Sequence, residues 1–65
     1  GIDEVIRIFF PARASTYERL VELMMEVRTI TRNPRAFVCR QANAIAMRGT
    51  AAEMAWAEKL ITERD

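Results

Sequence analysis

The sequence predicts a single α+β domain of 65 residues, with the order β-α-β-β-α and two helices packed on one face of a three-stranded sheet. Two capping motifs, each followed by apolar residues at helical spacing, indicate the helices. Three segments rich in β-branched and other apolar residues indicate the strands. The length fits one domain with one small core. A domain of this size buries only about 60% of the surface that its unfolded chain exposes.

The first strand is predicted over residues 4–10, which are mostly β-branched or aromatic and stop at Pro11. Alternate side chains of a strand point to opposite faces of the sheet. One alternate set is wholly apolar and is expected to face the core: Ile6, Ile8 and Phe10. The other set is expected to face solvent or a partner: Val5, Arg7 and Phe9.

The first helix is predicted to begin at Ser15, because Ser15 and Glu18 fit the capping box S-x-x-E. Apolar residues then recur at spacings of three, four and seven, which is typical of a helix with one buried side. This stripe comprises Tyr17, Leu20, Val21, Met24 and Val27, with Leu23 and Met25 at its margins. We expect the helix to end near residues 29–31, because the residue before Pro34 disfavours helical angles.

The second strand is predicted over residues 35–40, and the face that it buries stays open. Because side chains alternate along a strand, two arrangements are compatible with the sequence. Either Phe37 and Cys39 face the core, or Ala36 and Val38 do.

A tight turn over residues 41–43 is expected to return the chain into a third strand over residues 44–48, which makes an antiparallel hairpin. Asn43 suits this turn because asparagine tolerates left-handed backbone angles. Ile45 and Met47 are expected to share one face of the third strand.

Gly49 and Thr50 are expected to break the third strand and to lead into the second helix. Thr50 and Glu53 form a second capping box, T-x-x-E. The apolar stripe of this helix comprises Met54, Ala57, Leu60 and Ile61. Trp56 lies away from the centre of that stripe.

The residue inventory does not point to catalysis. The chain has no histidine and a single cysteine, Cys39, so it lacks the common nucleophile–base pairs and metal-ligand clusters. Its two glycines do not form a phosphate-binding loop. No apolar run reaches the roughly 20 residues that span a bilayer. We therefore predict no enzyme activity, no catalytic residue, no cofactor, no metal site and no membrane span.

Charge and exposure suggest a surface for a partner. The net charge of +1, from ten basic and nine acidic side chains, argues against nucleic-acid binding, which usually needs a basic excess. Arg7, Arg40 and Arg48 are nevertheless expected to gather on the open face of the sheet. Phe9 is expected beside them, and an exposed large apolar residue often marks an interface. These four residues are the candidate interface, and ordinary solvation of the sheet is the alternative.

One motif connects the third strand to the second helix. It consists of an asparagine before an aliphatic strand, an Arg-Gly-Thr turn, and a helix that closes on an aliphatic pair and an aspartate. The residues that carry it are Asn43, Ile45, Ala46, Met47, Arg48, Gly49, Thr50, Glu53, Met54, Leu60, Ile61 and Asp65. In this pattern the chain resembles the N-terminal periplasmic domains of bacterial secretins, of the N1 or NolW-like type. Cys39 and Ala42 depart from the family, which usually has aspartate and threonine there.

The resemblance also gives structural roles to three signature residues. Asn43 would fold the turn, Gly49 would free the backbone, and Thr50 would cap the helix. It covers nearly the whole chain, so residues 1–65 are interpreted as a single secretin N1-like domain excised from a longer protein.

The resemblance implies a non-catalytic, ring-building module of a secretin, the outer-membrane channel of type II or type III secretion or of type IV pilus systems. The implied partners are neighbouring copies in a homo-oligomeric ring and other proteins of the secretion system. The implied location of the parent protein is the periplasmic side of the outer membrane, with the isolated domain soluble. The alternative is a nucleic-acid-binding domain of the KH type, which shares the order β-α-β-β-α but normally carries a G-x-x-G loop that this sequence lacks.

Overall fold

The computed structural model describes residues 3–65 and confirms the predicted α+β fold. Its elements are β1 (Glu4–Phe9), α1 (Tyr17–Thr31), β2 (Ala36–Cys39), β3 (Ala44–Thr50) and α2 (Ala51–Arg64). The strands form one antiparallel sheet in the order β1-β3-β2. Both helices share one core with a single face of this sheet, so the other face is open and β1 and β2 are its edges.

The register of the sheet determines which side chains share the face covered by the helices. Ile45 and Met47 of the central strand are buried in the core, as predicted. Their partners on the edge strands lie on the same face: Arg7, Phe9, Ala36 and Val38. For β2, this settles the alternative that the sequence left open in favour of Ala36 and Val38.

The faces of β1 are the reverse of those predicted from the sequence. Phe9 is only 6% exposed, and the register places it opposite the buried Ile45. The residues predicted to be buried are exposed, Ile6 most of all at 74%: Ile6, Ile8 and Phe10. A period-two pattern identifies the buried face only when the other face is polar. Both faces of β1 carry large apolar side chains, so the register with β3 decides the matter.

The N-cap of the first helix lies one residue later than predicted. Thr16 is its N-cap, and the Thr16 hydroxyl accepts a hydrogen bond from the backbone N–H of Arg19 at 3.1 Å. The third helical position is therefore Arg19, so the predicted capping box of Ser15 and Glu18 is wrong. The helix ends at Thr31, within the predicted range.

The core lies between the sheet and the helices. Its largest fully buried side chains are Leu20, Leu23, Val27, Ile45 and Met47. The stripe predicted for α2 is confirmed as buried: Met54, Ala57, Leu60 and Ile61. The stripe of α1 is displaced, since Leu23 at its predicted margin is fully buried and Tyr17 is exposed. The guanidinium of Arg40 lies over the ring of Tyr17, with the guanidinium carbon 4.6 Å from the ring centroid.

The third strand continues two residues further than predicted, through Gly49 and Thr50. These residues pair with Val5 and Glu4 of β1, so the strand break expected there is wrong. Gly49 has no positive φ, so the backbone freedom of glycine is not what the fold uses at this position. Asn43 does adopt the expected left-handed conformation, with φ of 51°.

Candidate protein-interaction surfaces

The four residues predicted as an interface do not form one patch. Phe9 is buried in the core, and Arg7 lies on the helix-covered side, where it forms an ion pair with α2. Arg40 follows β2 and lies over the ring of Tyr17. Of the four, Arg48 alone lies on the open face, opposite Ile6 in the register. The predicted cluster is wrong because it depended on the reversed faces of β1.

The open face of the sheet is mainly apolar. Ile6 and Ile8 of β1 and Phe37 of β2 are all largely exposed. Ala46 of β3 lies opposite both Ile8 and Phe37, so it joins the two edge strands across this face. We call Ile6, Ile8, Phe37 and Ala46 the sheet surface. Grouped exposed apolar side chains commonly mark a site of protein association.

One end of the sheet surface carries a cluster of paired charges. Glu4 accepts a hydrogen bond from Arg35 and another from Nε of Arg48, the latter at 3.2 Å. Ion pairs of this kind contribute little to stability. Their consequence here is positional, because they hold two guanidinium groups beside the sheet surface.

A second apolar surface lies on the outer side of the helices. Met25 and Ile30 of α1 and Trp56 of α2 are each more than half exposed. Ile30 and Trp56 line one depression between the helices, of about 170 Å³. Met25 and Ile30 line a neighbouring depression of about 310 Å³. We call Met25, Ile30 and Trp56 the helix surface.

Charge is divided between the two layers of the domain. The helices, residues 17–31 and 51–64, carry six acidic and four basic side chains. The remaining described residues carry three acidic and six basic side chains. Residues 27–52 contain five arginines and no acidic residue. The helical layer is therefore net negative, and the sheet with its connections is net positive.

Asn33 links two distant parts of the chain, a role that the sequence does not indicate. It is buried, and its Nδ2 donates to the carbonyl oxygen of Arg48 at 2.8 Å and to Oε1 of Glu53 at 3.1 Å. Its Oδ1 accepts from the backbone N–H of Arg35 at 2.8 Å. The sequence marks Asn33 only as the residue before a proline, and nothing local indicates its long-range partners.

Gly49 and Thr50 shape the junction of β3 and α2. The predicted capping box is confirmed. Thr50 Oγ1 accepts a hydrogen bond from the backbone N–H of Glu53 at 3.2 Å, and Glu53 Oε1 accepts one from the backbone N–H of Thr50 at 2.8 Å. A Cβ on Gly49 would lie 2.5 Å from Nδ2 of Asn33 and would also collide with Glu53 Oε1. Gly49 therefore leaves room for the side chains of Asn33 and Glu53, and the expectation that it frees the backbone is wrong.

Asn43 holds the hairpin to the segment before α1. Its left-handed backbone closes the turn, with its N–H donating to the carbonyl oxygen of Arg40 at 3.2 Å. Its Nδ2 donates to the carbonyl oxygen of Ala14 at 2.9 Å. The signature residue thus combines the predicted turn with a second, tertiary role.

Within residues 3–65, no group of three or more histidine, cysteine, aspartate or glutamate side chains is placed to hold a metal ion. Cys39 is exposed on the same side of β2 as Phe37. Neither helix in this part of the chain is long and apolar enough to cross a membrane.

No family model, curated protein or solved structure matches this chain. The secretin resemblance therefore rests on the sequence pattern, chiefly the motif from Asn43 to Asp65. The fold and the two apolar surfaces are properties of the structure itself and do not depend on that resemblance.

Proposed function

We propose that this chain is a non-catalytic assembly module that joins copies of itself head to tail into a ring. The observation that carries the proposal is the pair of different apolar surfaces on opposite layers of the domain. When a domain offers two distinct surfaces to its neighbours, the contact is heterologous and either closes into a ring or extends as a filament.

The division of charge supports the same arrangement. A head-to-tail contact places the helix surface of one copy against the sheet surface of the next. The net negative helical layer then meets the net positive sheet layer, which favours association and suppresses the wrong orientation. Contacts between two like layers would instead bring like charges together.

The motif supports a ring of the secretin type. In this proposal the chain belongs to a secretin of a type II or type III secretion system or of a type IV pilus system, on the periplasmic side of the outer membrane. Neighbouring copies are its main partners, together with other proteins of the same system. A single contact is weak, and the ring gains strength because each copy engages two neighbours.

The first test removes each surface separately. Phe37→Asp disrupts the sheet surface, and Trp56→Asp disrupts the helix surface. Gln41→Asp, in the exposed turn, is the matched control because it adds the same charge outside both surfaces. Sedimentation velocity at protein concentrations up to about 1 mM, where contacts worth only about 4 kcal/mol become populated, should detect the assembly.

We expect concentration-dependent assembly beyond a dimer for the parent chain and for Gln41→Asp, and nothing larger than a dimer for each of the other two variants. A parent chain that forms nothing larger than a dimer throughout this range, or two surface variants that assemble like the control, would contradict the proposal.

The alternative function is binding of single-stranded nucleic acid. One observation favours it, namely that Phe37 is exposed on the sheet near Arg48, as in surfaces that stack bases on aromatic rings. Fluorescence anisotropy with a labelled oligouridylate at low salt tests it. Binding that falls steeply with salt and is lost in Phe37→Ala would support this function over the assembly module.

A further inference from the structure

The two edges of the sheet differ in how their outward backbone groups are satisfied. Along an antiparallel ladder, residues alternate between bonding to the neighbouring strand and pointing away from it. The backbone N–H of Arg48 donates to the carbonyl oxygen of Arg35 at 3.0 Å, which fixes this alternation for β2 and β3. The outward groups of β2 therefore belong to Ala36 and Val38.

The β2 edge is protected against further strand pairing. The Nε of Arg28 donates to the outward carbonyl oxygen of Ala36 at 3.0 Å, and its guanidinium lies over the ring of Phe37. The strand has only four residues and lies between Arg35 and Arg40. Short strands and flanking cations are the features by which natural edges avoid association.

The β1 edge lacks this protection. The backbone of Arg48 hydrogen-bonds to β2, so the backbones of its neighbours in β3 hydrogen-bond to β1. In the register of β1 and β3, the residues of β1 whose backbone groups then point outward include Ile6 and Ile8. Among the described residues, no side chain hydrogen-bonds to the backbone of Ile6 or Ile8. The strand has six residues and pairs without a bulge, and both of its charged side chains, Glu4 and Arg7, are held in ion pairs within the domain.

We propose that in the free chain β1 pairs with β1 of a second copy. The two strands are antiparallel, and a two-fold axis passes beside Ile6, so two three-stranded sheets join into one sheet of six strands. This contact uses the backbone of β1 and is isologous, so it closes as a dimer. It is separate from the ring contact, which uses side chains on the two layers of the domain.

The charges of β1 select this register. Backbone groups that point outward on one copy must pair with the outward groups of the other copy. The position of the two-fold axis along β1 therefore changes by one residue from each allowed register to the next. With Ile6 at the axis, Arg7 lies opposite Val5 of the second copy. A register centred one residue later would place Arg7 opposite Arg7 of the second copy, and like charges directly opposite are destabilising. A register centred one residue earlier shortens the paired segment and leaves Ile8 without a partner in β1 of the second copy.

The dimer should be weak. A contact between two strand edges of this length buries less than the roughly 1,200 Å² of stable complexes. Association therefore depends on concentration, and covalent trapping is the sensitive way to detect it.

Cysteine cross-linking of the whole chain tests the proposal. In a Cys39→Ser background, Ile6→Cys places two thiols across the axis, where directly opposite Cα atoms are about 5.5 Å apart and within disulfide range. Ile8→Cys is the matched control, since its two copies would be separated by roughly 13 Å along the strands. Oxidised glutathione then traps the dimer, which non-reducing electrophoresis quantifies.

We expect about tenfold or more disulfide dimer with Ile6→Cys than with Ile8→Cys, because only the former meets the distance requirement. Equal yields at the two positions, or no dimer with Ile6→Cys, would overturn the proposal. Adding Phe37→Asp to Ile6→Cys separates the two ideas. The edge dimer should persist while ring assembly is lost, whereas loss of the cross-link with Phe37→Asp would show that dimerisation uses the sheet surface instead.

Discussion

Asn33 and Gly49 compete for the same space at the junction of β3 and α2: a Cβ on residue 49 would lie 2.5 Å from Nδ2 of Asn33. The missing side chain at residue 49 leaves the space in which the amide reaches the carbonyl oxygen of Arg48 and the carboxylate of Glu53. This arrangement ties the connection after α1 to the start of α2.

Gly49→Ala should destabilise the domain by about 1–3 kcal/mol, the usual cost of forcing extra atoms into a packed site. Urea unfolding followed by circular dichroism measures the change. The double variant Asn33→Ala/Gly49→Ala should lose less than the sum of the two single losses, because the smaller residue 33 relieves the collision. Strict additivity would mean that the two residues do not share this space.

Asn33→Ala should cost about 1–3 kcal/mol, because it leaves buried polar groups without a partner. Asn33→Asp is the sharper variant at neutral pH, since it replaces a donor with a charge that faces the carboxylate of Glu53 and the carbonyl oxygen of Arg48. We expect Asn33→Asp to be less stable than Asn33→Ala at pH 7. The difference should shrink as the pH falls and the new carboxyl group takes up a proton. An Asn33→Asp domain as stable as the parent at pH 7 would refute this role.

Two neighbouring residues test the start of α1. Thr16→Ala should cost about 1 kcal/mol because it removes the hydroxyl that accepts from the backbone N–H of Arg19. Ser15→Ala is the matched control and should change the free energy of unfolding by only a few tenths of that amount. If Ser15→Ala were the more damaging change, the capping box suggested by the sequence would be correct after all.

Phe9 and Phe10 test the faces of β1. Phe9→Ala should cost about 3–5 kcal/mol, which approaches the whole stability of a domain of this size. Phe9→Leu keeps most of the apolar volume and should remain folded, with a measurable loss of about 1 kcal/mol. Phe10→Ala and Phe10→Leu should leave the unfolding midpoint almost unchanged because Phe10 is largely exposed. The opposite ranking would restore the faces inferred from alternation alone.

The elements of the fold follow from local patterns in the sequence. The capping box of Thr50 and Glu53, the buried stripe of α2 and the left-handed Asn43 are all local features, and all are confirmed. The faces of β1 are not a local property. Ile6 and Phe9 are equally apolar, and only pairing with β3 decides which of them is buried.

The interface residues were harder to predict for the same reason. Alternation along β1 predicts that Arg7 and Phe9 share the open face, and because the faces are reversed neither residue lies on it. The exposure of Phe37 was one of two alternatives that alternation could not separate. The role of Asn33 depends on contacts 15 and 20 residues away in the sequence, which no local pattern contains.

The most direct test of the assembly proposal mixes the two surface variants. Phe37→Asp retains an intact helix surface, and Trp56→Asp retains an intact sheet surface. If the contact is head to tail, neither variant alone forms anything larger than the β1 edge dimer, but a 1:1 mixture forms larger species because the two intact surfaces meet. Sedimentation velocity of each variant and of the mixture makes this measurement. A species in the mixture that is larger than any formed by either variant alone is the predicted result, and a mixture that sediments like the separate variants, or a single variant that grows beyond a dimer, would contradict head-to-tail assembly.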